Sequence, residues 1–152
     1  MVKNFDEELL VNNKMPEELI TLDPQSAPIK LLLEADPAVE KIMHYLKKGT
    51  CYGFKRNGEI IAACVINNLR WRRAEIKNIS VKKELQNKGI GSELMRSVIN
   101  KCKESGIRKI VLGTGNSSIN QIAFYQKCGF RIKSVWKDYF IKTKIEQTGN
   151  YN

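Results

Sequence analysis

The chain is short of the groups that most metal and nucleophile sites require. Its 152 residues include one histidine, His44, and four cysteines, Cys51, Cys64, Cys102 and Cys128. The cysteines stand far apart with no CxxC pair, which argues against a zinc ribbon or knuckle, and their apolar surroundings suit reduced core thiols better than bridges. No metal site is expected. His44 sits in a helical pattern with no Ser or Cys at a recognisable nucleophile spacing, so a covalent enzyme intermediate is not expected either. No run approaches the roughly 18 apolar residues of a membrane span. The opening "MVKNFDEELL" has no signal-peptide order, so a cytoplasmic protein without a membrane partner is expected. Repeats and low-complexity tracts are missing too. Acid is scarce: 16 Asp and Glu face 26 Lys and Arg, a net charge of +10. Such an excess repels itself and points to an anionic partner, whether nucleic acid, a charged surface or a polyphosphate cofactor.

What is present describes one globular domain over residues 1–152, of α/β or α+β class with a mixed sheet. Residues 1–27 are the least legible, with "MPEELI" read as a short helix and "PIKLLL" as an edge strand or connector. Asp36 as N-cap, Pro37 at the first helical position and Gly49 past the end bracket a helix whose stripe is Ile42, Met43, Tyr45 and Leu46. "CYGFKRNGEIIAACVI" is a hairpin around Asn57-Gly58. The basic link "NNLRWRR" leads to a strand at "AEIKNISV". A helix over about 91–105 follows, with Leu94, Met95, Val98, Ile99 and Cys102 on one face and Gly106 at its end. "RKIVLGTG" reads as a buried strand, "SSINQIAFYQKCG" as a helix stopped by Gly129, and "FRIKSVWKDYFI" as a last strand. Residues 141–152 form a polar tail.

The segment "LQNKGIGSEL" carries the chemistry. A strand, two glycines one residue apart and a helix start set several backbone N–H groups in one direction at the positive end of a helix, a phosphate site that Gly89 and Gly91 open to close approach. The pattern is not a Walker loop, because Lys88 precedes the first glycine. It is not the dinucleotide fingerprint either, because Leu94 stands where a small residue is needed.

"QNKGIG" resembles the Q/R-x-x-G-x-G/A loop of the GCN5-related N-acetyltransferases. "AEIKNISV" looks like that family's fourth strand. "NQIAFYQKCGF" is similar to its following helix segment, with Asn120, Ala123, Tyr125, Lys127, Gly129 and Phe130 in register. The resemblance spans about residues 50–135 and implies the acyl-CoA N-acyltransferase fold and acetyl-CoA as cofactor. It implies that Gln86, Asn87, Lys88, Gly89, Ile90, Gly91 and Ser92 hold the pyrophosphate. Ile79, Ser80 and Val81 would run beside the pantetheine arm, and Asn120 and Lys127 belong to the same cofactor-binding set. Val81 N–H is implied as oxyanion donor and Tyr125 as general acid. Glu75, fourteen residues before Gly89, matches the base of histone-type members, and simple alternation would put Glu75, Lys77, Ile79 and Val81 on one face.

The implied activity is acetyl transfer to a primary amine, a small molecule or a peptide, by direct attack in a ternary complex. Two other readings remain open: an acyl-CoA-binding regulator without turnover, and a basic nucleic-acid-binding protein. For the latter, Trp71 among Arg70, Arg72 and Arg73 is thin support, since such a link is more often a solvated turn, and nucleic acid is the disfavoured partner. The resembled family closes its sheet with one more strand after "GF", whereas this chain ends "FIKTKIEQTGNYN". A sheet lacking that strand would leave an edge that a homodimer could cover.

Overall fold

A computed structural model describes residues 1–4, 17–115 and 118–136. The elements in chain order are β1 (Val2–Asn4), β2 (Glu18–Leu22), α1 (Ile29–Ala35), α2 (Val39–Lys48), β3 (Thr50–Arg56), β4 (Glu59–Leu69), β5 (Arg73–Val81), α3 (Ile90–Glu104), β6 (Lys109–Leu112) and α4 (Ile119–Lys127). The six strands form one sheet in the order β1-β6-β5-β4-β3-β2. All neighbours are antiparallel except β5 and β6, whose parallel pairing is made by the α3 crossover. Asn57 and Gly58 turn the β3–β4 hairpin with φ of 49° and 80°, as an Asn-Gly tight turn requires.

The sheet carries a core on each face. On one side Leu94, Met95, Val98, Ile99 and Cys102 of α3 pack on Ala62, Cys64, Ile66, Ala74 and Ile76, with Phe130 fully buried among them. On the other, Leu31 and Leu32 of α1 and Ile42, Tyr45 and Leu46 of α2 cover Cys51, Ala63 and Val65. All four cysteines are free thiols, three of them buried. Burial raises the Cys51 and Cys102 thiols to about 11, pushes Cys64 higher still, and lifts the Tyr45 hydroxyl to about 12. These groups hold their protons more tightly folded than unfolded. Their contribution to stability is therefore intact below about pH 9 and is lost as pH climbs through the raised values. Tm measured from pH 7 to 11 should hold to about pH 9 and then fall, as stability drops by roughly 1 kcal/mol per buried thiol for each further unit; an unchanged Tm at pH 10.5 would contradict this.

The structure departs from the sequence expectations in several places. "PIKLLL" is not a strand: Ile29–Ala35 is helical because Leu31 and Leu32 both find the α1–α2 core. Residues 18–20 of "MPEELI" belong to strand β2, not a helix, with Leu19 paired to Phe54 across the hairpin edge. The α2 helix starts at Val39 rather than Pro37, and Asp36 acts just ahead of it by accepting from the Ala38 N–H at 3.1 Å. Asn67 to Leu69 of the supposed basic link extend β4, leaving Arg70–Arg72 as the turn. After α4 the described residues make only an isolated bridge at Arg131, not a full strand; residues 137–152 lie outside the described residues.

The edge beyond β6 is occupied by β1, which the sequence did not announce. Val2 pairs antiparallel with Val111 on one side and exchanges two 2.9 Å hydrogen bonds with Arg131 on the other. Lys3 Nζ also donates to the Cys128 carbonyl at the C-terminal end of α4, at 3.0 Å, a cation placed where the helix dipole favours one. Residues from the beginning of the chain thus stand between β6 and Arg131.

Candidate active site

A fork in the sheet defines the site. β6 runs beside β5 only from Arg73↔Lys109 to Ile76↔Leu112, while β5 continues to Val81. Among the described residues, no strand pairs with that side of Lys77–Val81. The cause lies on the opposite edge of β5. Ile66 faces Ile76 but Val65 faces Asn78, so Lys77 is an extra residue in the ladder, and such a bulge bends and twists the strand that carries it.

The bulge also reverses the alternation. Ala74 and Ile76 lie in the α3 core, and beyond the bulge it is Ile79 and Val81 that pack there, whereas Asn78 and Ser80 turn to the α1–α2 side. Simple alternation thus fails: Glu75 and Lys77 do not share a face with Ile79 and Val81. Glu75 stands opposite Asn67 and accepts from Lys77 Nζ at 3.2 Å. This exposed ion pair contributes little stability.

Backbone polarity follows from the same register. Lys82 N–H donates to the Ile61 carbonyl at 2.9 Å, so Lys82 and Ser80 point their peptide groups at β4, and Val81 and Ile79 point theirs into the fork. The Val81 carbonyl accepts from Gln86 Nε2 at 3.0 Å, which fastens the loop to the strand end.

From there the chain enters α3. Asn87 and Gly89 take positive φ of 61° and 84°, and Gly89 is an N-cap with no side-chain cap bond. The first backbone bond of the helix runs from Glu93 N–H to the Gly89 carbonyl at 3.1 Å. The N–H groups of Ile90, Gly91 and Ser92 therefore precede the helical ladder and face the loop. At Gly91 a Cβ would stand 3.4 Å from the Phe124 ring and 3.5 Å from Val81 Cγ2. Main chain, β5 and α4 meet closely there, and a Cβ would lie in van der Waals contact with both side chains. This fits a phosphate group: N–H donors at a helix N-terminus, glycine backbone, and exposed Asn87 and Lys88 beside them.

Tyr125 lies on the α3 side with Ile79 and Val81, between Phe124 and Phe130 at ring separations of 5.3 and 6.1 Å. Burial raises its hydroxyl to about 12, with the nearby Cys64 and Cys128 thiols adding to the shift. It stays protonated at neutral pH. Asn120 is exposed at the other end of α4, where Ser118, Ile119, Asn120 and Gln121 line an open depression of about 450 Å³. Lys127 is exposed in the last turn of α4. The fold thus brings Ile79, Val81, Gln86–Ser92 and Tyr125 to one end of the sheet and one of its faces. Glu75 lies on the opposite face, level with Val111 of β6 and short of the fork, and Ser80 gives its hydroxyl to Asn78 instead of the cleft. His44 is an exposed residue of α2.

Sequence reasoning missed Asn78. Its Nδ2 donates to the Leu32 carbonyl at 2.9 Å and to Tyr45 Oη at 2.8 Å, and its Oδ1 accepts from Ser80 Oγ at 2.8 Å, all buried. The available signal was the pair Lys77-Asn78, two polar residues in succession where "RAEIKNISV" otherwise alternates polar and apolar.

The model of the acetyltransferase (GNAT) family matches residues 17–130. The chain belongs to that family. It is 44% identical over 112 residues, 74% of this chain and 72% of the relative, to YvbK, an uncharacterised N-acetyltransferase of Bacillus subtilis (strain 168). Among solved structures, a GNAT acetyltransferase from Elizabethkingia anophelis with acetyl-CoA bound is 42% identical, with a TM-score of 0.80 and 85% of each chain covered. A Bacillus subtilis acetyltransferase in complex with CoA is 38% identical at a TM-score of 0.77, with 84% of each covered. The fold is the family's acyltransferase fold, the chain is an acyltransferase, and acetyl-CoA is its cofactor. No helix among the described residues is long and apolar enough to cross a membrane.

Proposed function

We propose that this acyltransferase moves an acetyl group to a primary amine, of a small molecule or a peptide, by direct attack within a ternary complex. The observation that carries the reading is the fork: peptide groups of Ile79 and Val81 open toward the space that β6 vacates, beside the uncapped start of α3 and on the face of Tyr125. Acetyl-CoA supplies the activated acetyl thioester. Gln86–Ser92 hold its pyrophosphate, and the β5 edge at Ile79–Val81 hydrogen-bonds its arm as an added strand would. Val81 N–H donates to the acyl oxygen as it gains charge, a role worth about 10² in rate. Tyr125 Oη protonates the departing sulfur. Glu75, one residue before the last β5–β6 pair, takes the proton of the amine through water.

An amine panel read by thiol release tests the reading. Tyr125→Phe should lower kcat about 10- to 100-fold with KM for acetyl-CoA little changed. Because its hydroxyl titrates at about 12, the wild-type rate should show no alkaline fall from this group below about pH 11. An undiminished kcat in Tyr125→Phe would reduce the residue to packing. Acetyl-CoA binding without turnover on any amine would replace catalysis with regulation.

A further inference from the structure

The charge of +10 is not absorbed by the cofactor end. β5 spans nine residues, roughly 25 to 30 Å, between the Gln86–Ser92 loop and the opposite end of the sheet. At that opposite end the β4–β5 turn carries Arg70, Trp71 and Arg72, followed by Arg73. The fold adds two cations that lie far away in sequence. Arg108 and Lys109 N–H both bond the Arg72 carbonyl, at 2.8 and 3.3 Å. Among the described residues, none of these five cations has an acidic partner in an ion pair, whereas Glu75 and Glu104 are engaged by Lys77 and Lys101.

The turn is also built against its own conformational preference. Trp71 and Arg72 hold φ of 65° and 54°, a region that bulky L-residues avoid and that Asn or Gly would occupy without strain. Trp71 is 86% exposed, so burial does not account for an indole there. Strain of this kind is retained where the presented side chain has a use.

We propose that this end of the sheet docks single-stranded nucleic acid, with Trp71 stacking on an unpaired base while Arg70, Arg72, Arg108 and Lys109 meet the phosphates. An acidic peptide would use the cations but gives no reason for a projecting indole. A duplex keeps its bases stacked on one another, whereas a single strand offers a free base face.

Fluorescence anisotropy with a labelled U12 RNA tests this on the full chain. Binding should weaken with salt at a log–log slope of about −2 to −3, as three or four phosphate contacts require. The pair of substitutions Trp71→Asn with Arg72→Gly suits the turn's backbone, so Tm should not fall while RNA affinity drops about tenfold or more. Saturating acetyl-CoA and the Gly91→Glu variant should both leave RNA binding unchanged, which separates this surface from the cofactor loop. Absence of RNA binding at low salt overturns the proposal. So does equal affinity of the turn variant, equal binding of a DNA duplex or a poly-Glu peptide, or displacement by acetyl-CoA.

Discussion

Gly91→Glu is expected to abolish the response to acetyl-CoA while leaving the fold intact. In the wild type, acetyl-CoA at 100 times its Kd stabilises by about 2.7 kcal/mol. For a chain of this size that raises Tm by roughly 5 to 10 °C. In the variant the new Cβ sits 3.4 Å from the Phe124 ring and 3.5 Å from Val81 Cγ2, contacts that a small shift relieves. Its carboxylate then stands among the N–H groups of Ile90, Gly91 and Ser92, where the pyrophosphate would lie. The two negative charges cannot share that site. A Glu in the first turn of a helix is itself favourable with the dipole, so Tm without ligand should not fall. A thermal-shift titration with acetyl-CoA, CoA, ATP and NAD on both proteins reads the outcome. Retention of the acetyl-CoA shift in the variant would remove Gln86–Ser92 from the cofactor site. A large drop in the unliganded Tm would show that Gly91 serves packing more than binding.

The sequence carried those parts of the site that depend on local chemistry. Asn57-Gly58 specifies its hairpin by backbone preference alone, and Gly89, Ile90 and Gly91 specify a helix start that exposes N–H groups. The period of Leu94, Met95, Val98 and Cys102 fixes the buried face of α3. What depends on register was not readable. The successive polar residues Lys77 and Asn78 break the alternation of "EIKNISV", but only the pairing with β4 makes Lys77 the extra residue, and its effect is to move Ile79 and Val81 off the face of Glu75. β1 is three residues whose partners lie more than a hundred positions away, beyond any local signal. α1 was misread for a different reason: a short run such as "KLLL" suits either element, and only the presence of α2 and the sheet decides it. Arg108 and Lys109 were likewise invisible as neighbours of Trp71, since the β6 start reaches Arg72 only through the crossover.

Asn78→Ala should be the most damaging single truncation in β5, and its effect should extend to the cofactor. Asn78 is 4% exposed and uses both amide hydrogens and its carbonyl oxygen. Leu32 O keeps a second partner in Asp36 N–H at 3.1 Å, so its loss is partial. Tyr45 Oη and Ser80 Oγ lose partners in a buried site, at about 1 to 3 kcal/mol for each group left unsatisfied. A cost of about 2 to 4 kcal/mol is expected, a Tm lower by roughly 5 to 15 °C in a protein of this length. Asn78→Asp should be worse at pH 7, because it replaces a double donor with an acceptor facing the Leu32 carbonyl and the Tyr45 oxygen. Asn78 also holds β5 just past the bulge, and that anchoring keeps Ile79 and Val81 turned into the fork. Below its lowered Tm, Asn78→Ala should therefore bind acetyl-CoA more weakly than wild type, whereas a core truncation of equal cost on α2, such as Ile42→Ala, should not. Isothermal titration of the two variants at 15 °C distinguishes the outcomes. Equal affinities would make the Asn78 network purely structural, and an Asn78→Ala Tm within 2 °C of wild type would mean that neighbouring groups re-form its bonds.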